Sequence, residues 1–328
     1  MSSTTSSLAA ERSDSTSPSD LHRTAFGATD MWLIGMSVIW GVNFSVVKSA
    51  LAVMPALTFT GLRVAIAATV LWGVSATVRN APLPSRRDVI ALLGLGIIGN
   101  GFYQCLFIIG MSHTRAGIAA LVIAASPAWI AIVSRILGRE QLSSRGWSGI
   151  GLQLAGVACV VASTGAIDAS SEAIFGAGLI AVGSIMWAVF TVLLQPFTQR
   201  THSIHLSAIT MTSGALFCLV FALPGILRMD WSTVTLPAWG AVLYASVGAL
   251  VIAYLLFYRG IRVLGPTRTA MYSNLQPIIA LAVAAIVLSE RPTGWQLLGA
   301  TLIMAGLLIS RTAKVVPTRL LTPTTDRL

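Results

Sequence analysis

The chain carries few charges for its length. Lys, Arg, Asp and Glu make up 10% of its 328 residues, where a soluble domain has about 25%. So few charges cannot cover a water-facing surface. Acidic residues are the scarcer sign, 11 against 21 basic ones. All 11 fall in tails, connections or the ends of apolar segments, so no carboxylate occupies the interior of a predicted span. The three cysteines, Cys105, Cys159 and Cys218, are far apart in sequence and form no CxxC; they read as buried apolar residues rather than as a disulfide or metal framework. HExxH is absent. Gly73-Val-Ser75 is followed by Ala76 rather than by the glycine of a GxSG serine motif, and no histidine falls inside a span. These absences weigh against an intramembrane protease. His202 and His205, in HSIH, are too few for a closed zinc site. No metal, cofactor or catalytic residue is expected.

What the chain has in plenty is apolar length. Hydrophobic residues make up 55% of it and mean hydropathy is +0.82. Hydrocarbon about 30 Å thick needs about 20 apolar residues of helix. Ten segments qualify, near 31–50, 57–78, 88–110, 115–136, 146–164, 175–196, 206–226, 237–258, 267–288 and 294–311. The expected fold is therefore an all-α integral membrane bundle of ten transmembrane helices. Residues 1–30 and 312–328 read as polar tails, 165–174 as an external linker. A net charge of +10 would suggest nucleic acid in a soluble protein. Here 16 of the 21 Lys and Arg fall on the side of the termini and four (Lys48, Arg115, Arg228, Arg291) on the other, with Arg63 inside a span. That asymmetry predicts cytoplasmic termini and no nucleic-acid partner. The partners expected are the lipid bilayer and a small-molecule substrate, for a monomer or homodimer in a bacterial cytoplasmic membrane.

The second half repeats the first. Phe107–Gly110 reads FIIG and Phe257–Gly260, 150 residues later, reads FYRG. Pro127 and Pro277 share that offset, as do Glu140 and Glu290. Trp147-x3-Gly151 matches Trp295-x3-Gly299, and Trp40 has a mate in Trp187. Five helices per copy is an odd number, so the second copy enters the membrane upside down. Inverted repeats are the architecture of secondary transporters, with the site between the halves near the midplane.

These residues carry a family resemblance. WGVNFSVVK (Trp40–Lys48), GLRVAIA (Gly61–Ala67), the run from Ser126 to Leu152 and its second copy from Gln276 to Ala300 resemble the EamA-type carriers of the drug/metabolite transporter superfamily. The resemblance covers about 31–311, as repeats at 31–164 and 175–311. It implies a carrier, exporter or exchanger, of small organic metabolites such as amino acids or amphipathic compounds. The departure is in the sixth helix, where MWAVFTVL keeps the tryptophan but lacks the asparagine and lysine of WGVNFSVVK. A receptor or scaffold would not need an inverted repeat.

Candidate binding residues are the polar and aromatic groups inside spans. Arg63 lies about six residues, roughly 9 Å, into the second helix; a charge at that depth is a functional-site candidate by default, or else snorkels or pairs with backbone. Asn43 with Trp40, Tyr103 with Gln104, and Trp187 with Tyr254 are expected to line a pocket or to bond between helices. Pro127 and Pro277 are expected to kink their helices and free a carbonyl, beside Ser126, Gln276 and Asn274. Glu140 and Glu290 are expected to serve structural or gating roles. The lack of an interior carboxylate favours uniport or exchange over obligatory proton coupling.

Overall fold

The computed structural model describes residues 27–78, 84–114, 119, 122–163, 170–279, 282, 293–313 and 315–317. Six of its helices are long and apolar enough to cross a membrane: α1 (Ala28–Leu51), α2 (Ala56–Thr77), α3 (Arg86–His113), α6 (Ser171–Arg200), α7 (Ser203–Arg228) and α8 (Leu236–Leu264). The described residues also form shorter or less apolar helices: α4 (Ser126–Ile136), α5 (Ser144–Ser163), α9 (Pro266–Met271) and α10 (Gly294–Arg311). The only strands among the described residues, β1 (Glu140–Leu142) and β2 (Val315–Pro317), pair antiparallel with Gln141 opposite Val316.

Helix starts follow their local chemistry. Ser85 and Ser170 accept from the third residue beyond them, at Asp88 and Ala173. Thr293 and Gln296 form a reciprocal capping box on α10, so orphan N–H groups are satisfied without water.

Several helix pairs among the described residues pack closely through small residues, and two of them show their direction. On α5 and α10, a Cβ added to Gly149 would lie 2.7 Å from the Gly306 carbonyl, and one on Gly156 would lie 2.6 Å from that of Gly299. The register rises on one helix as it falls on the other, so the pair is antiparallel. On α2 and α7, Gly61 meets Ala222 and Gly225 meets Thr58, again antiparallel. Small residues permit this approach in lipid, where no hydrophobic force drives helices together.

Two helices are not α-helical throughout. α3 contains a π-segment at Ile97–Phe102 and α8 one at Tyr244–Ile252. Each turn there holds more residues, so the face presented downstream is rotated.

Both prolines lie where their helices are interrupted. The chain turns at Ala125 and α4 restarts at Ser126, with Pro127 in its first turn. There the missing N–H would have had no helical acceptor. Pro277 follows a 3-10 segment at Tyr272–Leu275. The Ser37 hydroxyl donates to the Tyr272 carbonyl of that segment at 2.7 Å, which ties α1 to the interruption. Glu290 lies outside the described residues.

Candidate substrate cavity

Seven helical segments converge on a cavity of about 70 Å³, room for a few waters in this state. α1 supplies Trp40 and Asn43, α2 Arg63, α3 Tyr103 and Gln104, and the start of α4 Ser126. Across from them, α6 supplies Trp187, α8 Tyr254, and the segment after α9 Gln276. Nine of the ten binding candidates thus line one space. Asn274 does not; it is fully buried, with both amide atoms unpaired among the described residues.

A polar chain crosses the cavity. Arg63 Nη2 donates to Gln104 Oε1 at 2.6 Å, and Gln104 Nε2 donates to the Tyr254 hydroxyl at 3.0 Å. The Arg63 guanidinium also stands 5.4 Å from the Phe59 ring centroid. Its Nε and the Oδ1 of Asn43 have no partner among the described residues. Tyr103–Gln104 and Ala253–Tyr254 directly follow the two π-segments, which explains how both helices turn polar groups inward at the same depth.

Aromatic rings from both sides cluster along the cavity. Trp40 lies 6.2 Å from Trp187 and 6.0 Å from Tyr254, both edge to face. Trp187 is stacked on Phe257 at 5.2 Å, and Tyr103 lies 5.1 Å from Trp187. The Trp40 indole N–H donates to the Ala249 carbonyl at 3.0 Å, inside the π-segment of α8. Each such ring pair contributes about 0.5–1.5 kcal/mol beyond its area. Aromatic rings together with a few polar groups are the usual make-up of a small-molecule site.

The family model described as the EamA-like transporter family matches the chain twice, at residues 27–162 and 174–312. The chain belongs to the EamA-like transporter family. A probable amino-acid metabolite efflux pump of Salmonella typhimurium is 28% identical over 293 residues, spanning 85% of this chain and 95% of the relative. The uncharacterized transporter YyaM of Bacillus subtilis is 25% identical over 280 residues, spanning 84% and 91%. A crystal structure at 19% identity superposes with a TM-score of 0.70 over 85% of this chain and 95% of the other, a likeness of fold. This EamA-like protein is therefore a multi-pass membrane transporter.

Three contacts at the helix ends of this EamA-like chain escaped the sequence. Glu140 Oε2 accepts from the Thr267 hydroxyl at 2.7 Å, at the start of α9. Burial pushes its carboxyl above the usual range, against the opposing pull of Thr267 and Arg268. Asp30, in the first turn of α1, accepts from the Tyr272 hydroxyl. Lys48 Nζ donates to the carbonyls of Met111 at 2.6 Å and Thr114 at 2.9 Å, a cation on the C-terminus of α3. The partners are 63 or more residues away in sequence, so only the charge of Lys48 near a helix end hinted at its use. The apolar lining, Phe44, Phe107, Ile123 and Leu250, gave no signal, because such residues look the same facing lipid.

Proposed function

We propose that this chain is a secondary transporter of small organic metabolites, an exporter or exchanger, working by alternating access between two inverted five-helix repeats. The ten spans would be the six long helices, α5 and α10, and the two interrupted segments that contain α4 and α9, with both termini cytoplasmic as the distribution of Lys and Arg suggests. The observation that carries the reading is the cavity itself. Its walls come from α1–α4 on one side and from α6, α8 and α9 on the other, so any rocking of one repeat against the other opens or closes it.

Contacts between counterparts support the inversion. Gln104 and Tyr254 are 150 residues apart and hydrogen-bonded; Trp40 and Trp187 are counterparts in edge contact. A residue meets its own counterpart only near a two-fold axis. The second helices of the repeats, α2 and α7, and the fifth, α5 and α10, run antiparallel against each other. That arrangement fits an axis lying in the plane of the membrane.

Relatives named as amino-acid metabolite efflux pumps fit the same class. No carboxylate among the described residues lines the cavity, which favours uniport or exchange over proton coupling. Counterflow tests this reading: the purified protein, reconstituted in vesicles loaded with candidate metabolites, should exchange labelled solute, and Gln276→Ala should slow it. Absence of exchange across a broad metabolite panel would favour a receptor or scaffold instead.

A further inference from the structure

We infer that the cavity takes an organic monoanion, a solute with one carboxylate or comparable anionic group on a flat apolar body. This rests on the cavity being the transport site, as proposed above. The decisive group is Arg63, which is 1% exposed and bears a guanidinium that stays protonated in proteins. Its neighbours in contact are neutral: the Gln104 amide oxygen and the Phe59 ring. Its Nε is unpaired among the described residues.

Every carboxylate among the described residues is engaged away from the cavity. Asp30 pairs with Tyr272, Asp88 with Arg200, Glu140 with Thr267, Glu172 with His113 and Asp230 with Ser232. Among the described residues, Arg63 therefore has no counter-charge. A desolvated charge in low dielectric is costly, and its field is little screened by water. An anion entering the cavity supplies the missing charge and recovers that cost. A cation meets uncompensated repulsion. A zwitterion brings an ammonium that the described lining can meet with ring faces and neutral oxygens but with no carboxylate to neutralise it beside Arg63. The rest of the space is bounded by the rings of Trp40, Trp187 and Tyr254, which stand at 65–82° to one another and bound a space suited to a flat apolar group.

The test uses the full chain in lipid nanodiscs and calorimetric binding of probes that share a phenyl ring. These are 3-phenylpropanoate (anion), phenylalanine (zwitterion), 3-phenylpropanamide (neutral) and 2-phenylethylammonium (cation). The anion should bind about tenfold or more tightly than the zwitterion or the amide, and the cation weakest. Arg63→Gln should remove the anion's advantage. Should that variant fail to fold, the wild-type ranking alone decides. A zwitterion or cation bound as tightly as the anion, or no binding of the anion, overturns the inference. Zwitterion binding that Gln276→Ala abolishes would overturn the charge assignment while leaving the cavity as the transport site.

Discussion

Arg63 and Gln104, 41 residues apart on α2 and α3, meet at 2.6 Å in the interior of the bundle. The amide is held from its other end by the Tyr254 hydroxyl, so a neutral side chain is clamped between a cation and a phenol from the opposite half. Truncating the clamp leaves a buried donor unsatisfied, which costs about 1–3 kcal/mol. Gln104→Ala should therefore lower the melting temperature in detergent more than Tyr254→Phe, which removes one neutral hydrogen bond worth about 1 kcal/mol. Equal shifts would mean that Gln104 does not anchor the guanidinium.

Glu140 predicts a pH dependence. Its carboxyl is raised above its ordinary value of 4.5 in the fold, chiefly by burial. The folded state then holds the proton more tightly than the unfolded state does. The stabilisation is complete below the ordinary carboxylate range and is lost as pH rises through the raised value. Melting temperature measured from acid to neutral pH should fall over that window in the wild type and fall less in Glu140→Gln. A wild-type curve that rises there would reverse the assignment.

Gly265 joins α8 to α9 with φ at +83°, and Glu140 Oε1 occupies the place a Cβ would take, 2.3 Å away. The side-chain oxygen can move, but the left-handed backbone cannot relax. Gly265→Ala should cost about 1–3 kcal/mol, read as a lower melting temperature. An unchanged melt would show that the junction adapts.

Cys105 on α3 and Cys218 on α7 have sulfurs 3.7 Å apart, within reach of a disulfide after a small shift of either side chain. Mild oxidation of the purified protein should reduce its free thiols from three to one, leaving Cys159. The bond would join the proposed repeats, so exchange should stop and return on reduction. Loss of Cys159 first would contradict the pairing.

Much of this fold was legible in apolar segment length, because the bilayer sets that length directly. Nine of ten binding candidates share the cavity for a related reason: polar and large aromatic groups inside spans must find one another, and a bundle offers few places. Asn274 shows the limit, since a buried amide two residues from Gln276 faces elsewhere when the chain runs as a 3-10 segment. The π-segments leave no mark on an apolar run, because adding a residue to one turn changes no composition. Cys105 and Cys218, 113 residues apart, meet only through helix packing that a one-dimensional pattern does not encode.

Alternating access requires that the cavity be reached in turn from each side of the membrane. Ser126, on the cavity wall and 6% exposed, can be replaced by cysteine on a background lacking Cys105, Cys159 and Cys218. A membrane-impermeant maleimide is then applied to right-side-out and to inverted vesicles. Alternating access predicts labelling of Ser126→Cys from both faces, slowed by bound substrate. Labelling confined to one face would contradict it.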